Sequence, residues 1–129
     1  MKKILSCLLL SACLFSKAQQ NLNLVPMPVE ARMEAGDFIL DKTTGIIVSD
    51  VLTHEIRIAN QLKEQLNEQY GLNLKVGKAD SNQRAFKKII FSLQPKLFPD
   101  QKTGYTIEVN KTEILLTGKN FESLFHSMQ

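Results

Sequence analysis

Apolar residues recur along this chain with two different periods, and the switches between them mark out its elements. Tyr105, Ile107 and Val109 alternate with Thr106, Glu108 and Asn110, the period of two that gives a strand one apolar and one polar face. Asn110-Lys111-Thr112 then reads as a turn, and Glu113 to Gly118 as the returning strand of a hairpin. Beyond it the period changes. Asn120 is placed to cap a helix through its side-chain oxygen, and Phe121, Leu124, Phe125 and Met128 fall at i, i+3, i+4 and i+7. That stripe is still running at Gln129, so the sequence alone reads as a helix whose apolar face expects more protein, and as a chain truncated within a larger one.

The same reading applied upstream predicts a mixed sheet with helices. Leu24-Val25-Pro26-Met27-Pro28 is extended, because two prolines one residue apart fix the backbone and remove two donors. Val29, Ala31 and Met33 alternate as a strand, Ala35-Gly36-Asp37 is a turn, and Phe38-Ile39-Leu40 is expected to return as a second strand. Ile46-Ile47-Val48 is a short β-branched run suited to a buried strand. A long helix over about 51–70 follows, capped by Ser49 or Asp50. Leu52, Ile56, Ala59, Leu62, Leu66 and Tyr70 form its apolar stripe, Lys63, Glu64, Asn67 and Glu68 its solvated side, and Gly71 its C′ position. Leu72, Leu74 and Val76 alternate as the strand that leaves it, giving a β-α-β unit with parallel pairing and a right-handed crossover. Gly77 to Phe86 is polar and reads as a loop; Lys88 to Leu93 is the strongest buried strand; Gln94 to Thr103 is a second loop. The fold class is therefore α+β: a mixed β-sheet with one long helix (about 51–70) and a short C-terminal helix (about 120–129) packed on one face.

Composition alters this picture mainly at the N-terminus. Lys2-Lys3, the apolar run from Ile4 to Phe15 and the small residues of Ser16-Lys17-Ala18 make residues 1–18 a signal peptide, leaving 19–129 as one domain. The run is too short for a transmembrane helix, which needs about 20 apolar residues. Leu10-Ser11-Ala12-Cys13 also fits a bacterial lipidation site, although the apolar region continues through Leu14-Phe15. The protein is expected to be exported, periplasmic or extracellular, and lipid-anchored if Cys13 is modified. Cleavage after Ala18 removes three of the 16 basic residues, leaving thirteen against thirteen acidic ones, a net charge of zero. A nucleic-acid or acidic-membrane partner loses its electrostatic basis. Both cysteines, Cys7 and Cys13, leave with the peptide, so no disulfide supports the domain.

Catalytic and ligand-binding patterns are not in evidence. The two histidines, His54 and His126, have no second ligand at i+3 or i+4, so neither suggests a zinc site. No Gly-x-Ser-x-Gly occurs, and the glycines are scattered singly, so neither a serine hydrolase nor a phosphate loop is indicated. Asn110-Lys111-Thr112 matches a glycosylation sequon but sits where a turn favours Asn anyway. The thirteen acidic residues occur singly along the sequence, and none makes a credible catalytic pair of the kind glycoside hydrolysis uses. No catalytic, cofactor-binding or metal residue is expected, and no cofactor.

Leu24-Val25-Pro26-Met27-Pro28, Gly36-Asp37-Phe38-Ile39-Leu40, and Gly104 to Val109 leading into Phe121 to Gln129 together resemble the N-terminal domain of bacterial β-N-acetylhexosaminidases, the family 20 glycoside hydrolases. The resemblance implies a non-catalytic α/β domain over 19–129, followed in the intact protein by a (β/α)₈ barrel. That barrel carries an adjacent Asp-Glu pair, with the Glu as general acid and the Asp positioning the substrate's acetamido group. No such pair stands in this chain, so glycan would be met only through the barrel. The resemblance also implies a small Ala/Gly pair where Glu122-Ser123 stands here. Two other functions remain open at this point: a free-standing exported carbohydrate-binding or scaffold module, and the N-terminal domain of another glycosidase family.

Overall fold

The structure, a computed structural model, describes Glu30, Arg32 and residues 36–48, 53–78 and 86–129; the side chains of Thr53 and His54 lie outside that description. The signal peptide, the Pro-x-Pro segment, the 29–33 strand apart from Glu30 and Arg32, the helix cap at Ser49 or Asp50 and most of the 77–86 loop also lie outside it.

Among the described residues five strands form one sheet: β1 (Thr44–Val48), β2 (Lys75–Lys78), β3 (Lys87–Leu93), β4 (Tyr105–Val109) and β5 (Glu113–Gly118). The long helix α1 (Thr53–Tyr70) joins β1 to β2, and the short helix α2 (Phe121–Met128) follows β5. The strand order is β2-β1-β3-β5-β4. β1 pairs parallel with β2 and β3, β3 pairs parallel with β5, and only the β4–β5 hairpin is antiparallel. The sheet is therefore mixed, and β1-α1-β2 is the parallel unit that the sequence predicts.

The period of two along each strand sends alternate residues to one face. Ile46 and Val48 of β1, Ile89 and Phe91 of β3 and Leu116 of β5 meet Ile58 and Ala59 of α1, Leu124 of α2 and Leu74 in a single buried cluster. Both helices touch that cluster and each other, so they lie on the same face. Fully burying side chains of this size contributes roughly 1.5–3 kcal/mol each. Across the opposite face the register aligns Ile47, Ile90 and Leu115 in a row, with Ser92 and Thr117 also buried.

Three sequence expectations are corrected. Phe38-Ile39-Leu40 forms no strand; Phe38 and Leu40 still turn inward onto the core and Ile39 outward, 65% exposed, so the alternation is real but has no ladder. Leu72 and Leu74 belong to the connector after α1, and β2 extends instead through Gly77 and Lys78, which the sequence reading assigns to a loop. Gly71 makes this exit at φ +67°, a conformation open to glycine, and donates its N–H to Asn67 C=O at 2.9 Å. The stripe on α1 is rotated as well: Glu55, Ile58 and Ala59 are buried, Leu62 and Leu66 half-buried, and Tyr70 at the helix end is 68% exposed.

Candidate functional site

Four features could form a site: three hydrogen-bonded clusters, each with an evident structural task, and one cavity. At the start of β3, Lys87 Nζ donates to Asp41 Oδ2 at 2.8 Å and to Ile39 C=O at 2.8 Å. The Lys87 hydrogen bond, helped by the Thr43 hydroxyl and backbone N–H, holds the Asp41 carboxyl down at about 2. The result is a clasp that fixes residues 39–43 against β3.

Between α1 and the end of β3, Glu55 is fully buried, and its Oε1 accepts the Leu93 N–H at 3.2 Å. A carboxylate at that position spares a strand-end N–H from going unpaired. The sequence reading does not single it out. The available signal was helical spacing: Glu55 stands three and four residues before Ile58 and Ala59, on their stripe.

The third cluster seats α2 on the sheet. Asn120 caps the helix by accepting the Ser123 N–H at 2.8 Å, as its place before the stripe predicts. Ser123 Oγ donates to Asn120 Oδ1 at 2.7 Å and accepts the Gly104 N–H at 3.1 Å. Lys119 Nζ reaches the main-chain carbonyls of Phe98, at 2.6 Å, and Gln101. A side chain at Gly118 would come within 2.7 Å of the Leu124 nitrogen, so the helix lies directly on the strand. The buried residues of α2 are accordingly Ser123, Leu124 and Ser127; Phe125 and Met128 are half-buried and Phe121 is 39% exposed. The predicted Phe121 stripe is thus centred on Leu124, with small serines where the close approach needs them.

The fourth is a cavity of about 280 Å³ lined by Val48, Ile56, Asn60, Val76, Gly77 and Lys78, at the C-terminal ends of β1 and β2. Among the described residues its lining offers one amide and one ammonium, and no carboxylate, imidazole, hydroxyl or thiol. His126 is on the outer side of α2, 3.9 Å from Glu122 and edge-on to Phe125. Among the described residues no three His, Cys, Asp or Glu side chains converge as metal ligands.

A mixed sheet with two helices on one face and a hairpin leading into a Ser-rich short helix is the frame within which the family comparison falls. The model of glycosyl hydrolase family 20, domain 2, matches residues 21–129. The chain belongs to that family. The match covers the hairpin-helix block, the Gly36–Leu40 segment and the Pro-x-Pro start on which the resemblance rests. No curated protein matches the chain. A family 20 domain 2 is an accessory domain of hexosaminidase-type glycosidases and normally sits with a catalytic barrel domain. Among the described residues no helix is long and apolar enough to cross a membrane.

Proposed function

We propose that this chain serves an exported β-N-acetylhexosaminidase as its non-catalytic N-terminal domain, supporting a barrel that removes terminal N-acetylhexosamine from glycans. The observation that carries the reading is the family match across the whole sheet-and-helix unit, coupled with polar groups already engaged in holding that unit together. Among the described residues large apolar side chains stand exposed at several places, including Ile39, Phe86, Leu97 and, on α2, Phe121. A folded barrel domain can cover such a surface; a hydrophilic glycan gains little from it.

The bacterial leader supports export, and cleavage after Ala18 gives a mature chain starting at Gln19. N-terminal sequencing of the protein recovered from the periplasm or medium checks this: Gln19 first supports export by cleavage, and an intact Met1 contradicts it. For the partner, the purified chain is titrated against a separately produced family 20 barrel domain in a calorimeter. Binding that is weakened by Phe121→Asp is the expected result, and no heat at any ratio overturns the docking role.

A further inference from the structure

Among the described residues β4 and β2 are the two edges of the sheet, and they are built differently. β2 carries Lys75 and Lys78 at its ends, the charge that discourages an exposed edge from pairing with another chain. β4 reads Tyr-Thr-Ile-Glu-Val, with no lysine or proline, and pairs with β5 without a bulge. Ile107 is 44% and Val109 52% exposed on it.

Its hydrogen-bonding phase follows from the two ends of the hairpin. Asn110 donates its N–H to Glu113 C=O at 2.9 Å, and Gly104 C=O accepts from Lys119 N–H at 2.9 Å. In an antiparallel pair the main-chain groups of alternate residues point the same way. Gly104, Thr106, Glu108 and Asn110 therefore turn theirs toward β5, whereas Tyr105, Ile107 and Val109 turn theirs away from the sheet. Among the described residues nothing meets those three N–H and C=O groups.

We infer that this edge joins two copies of the chain, antiparallel, about a twofold axis through Ile107, so that two five-stranded sheets become one. The strand is self-complementary in that register. Ile107 of one copy meets Ile107 of the other as a pair exchanging both hydrogen bonds, and Tyr105 meets Val109 on either side, an aromatic against a β-branched residue. On the opposite face the single charge, Glu108, falls opposite the Thr106 hydroxyl, an acceptor against a donor. Sliding the register two residues toward the hairpin turn sets Glu108 against Glu108, so charge selects the first arrangement.

Sedimentation and amide hydrogen exchange on the full chain over a range of concentrations test this. The expected result is a monomer–dimer equilibrium in which the Tyr105, Ile107 and Val109 amides gain protection as concentration rises, while Thr106 and Glu108 stay protected throughout. Ile107→Lys, which adds an edge charge, weakens association by about tenfold or more with unchanged circular dichroism. Ile107→Pro removes only an outward N–H and acts in the same direction. A monomer at every concentration overturns the proposal. So do equal protection of the three amides at every dilution, which marks an occupant from within the chain, and a Lys variant that associates like the parent.

Discussion

At Asp41 a single carboxyl holds a segment that has no strand ladder of its own. Its folded value of about 2 lies below the ordinary 3.8, chiefly through the Lys87 hydrogen bond. A carboxylate depressed on folding stabilises the protein above its ordinary value, and that contribution disappears as pH falls toward the folded one. Thermal melts of the parent should therefore lose part of their stability between about pH 4 and 2 through this group. Asp41→Asn should melt lower at pH 7 and show a shallower fall across that window; identical pH profiles would remove the clasp from the account. At Gly118 the constraint is steric, because the Leu124 backbone stands 2.7–2.9 Å from where a side chain would begin. Gly118→Ala should cost about 1–3 kcal/mol in urea unfolding through overpacking. Ser123→Ala leaves the Gly104 N–H without its acceptor and should cost about 1–3 kcal/mol by the same measurement. Parent-like midpoints would mean that α2 does not sit this tightly on β5.

At the scale of elements, the core depends on β3, the strand flanked by β1 and β5. Phe91 is fully buried there, and Phe91→Ala should lose about 3–5 kcal/mol in denaturant unfolding. Periodicity made β3, the β4–β5 hairpin, α1 and the Asn120 cap legible in the sequence, because each has a regular apolar pattern or a specific turn residue. The rotation of α1 was not legible, since Glu55 is charged and a residue-type reading sends it to solvent. One of its partners is a strand-end N–H 38 residues away, which local pattern does not reveal. Similarly, Phe38-Ile39-Leu40 has the alternation of a strand, yet pairing depends on a neighbour that local pattern does not specify. Tyr70 fits the apolar period but stands at the last position of α1, where it is mostly exposed. The seat of α2 was legible only in part: the sequence marks Phe121 as conspicuous, whereas the close approach over Gly118 selects Leu124 flanked by serines.

At the scale of the whole molecule, the polar groups serve mainly as fastenings. Glu55, Asp41, Lys87, Ser123 and Lys119 are each engaged in fastening one element to another. The expectation that no catalytic pair stands in this chain rests on its sequence alone. Family membership and fold were legible from the hairpin-helix block and the Pro-x-Pro start; the substrate was not, because no catalytic or ligand-binding pattern stands in the sequence. The most direct test is hydrolysis of a chromogenic N-acetyl-β-glucosaminide by the purified chain. A rate equal to that of buffer is the predicted result. Turnover that follows the chain through successive purification steps, and is lost on substituting one of its own carboxylates, would contradict the account.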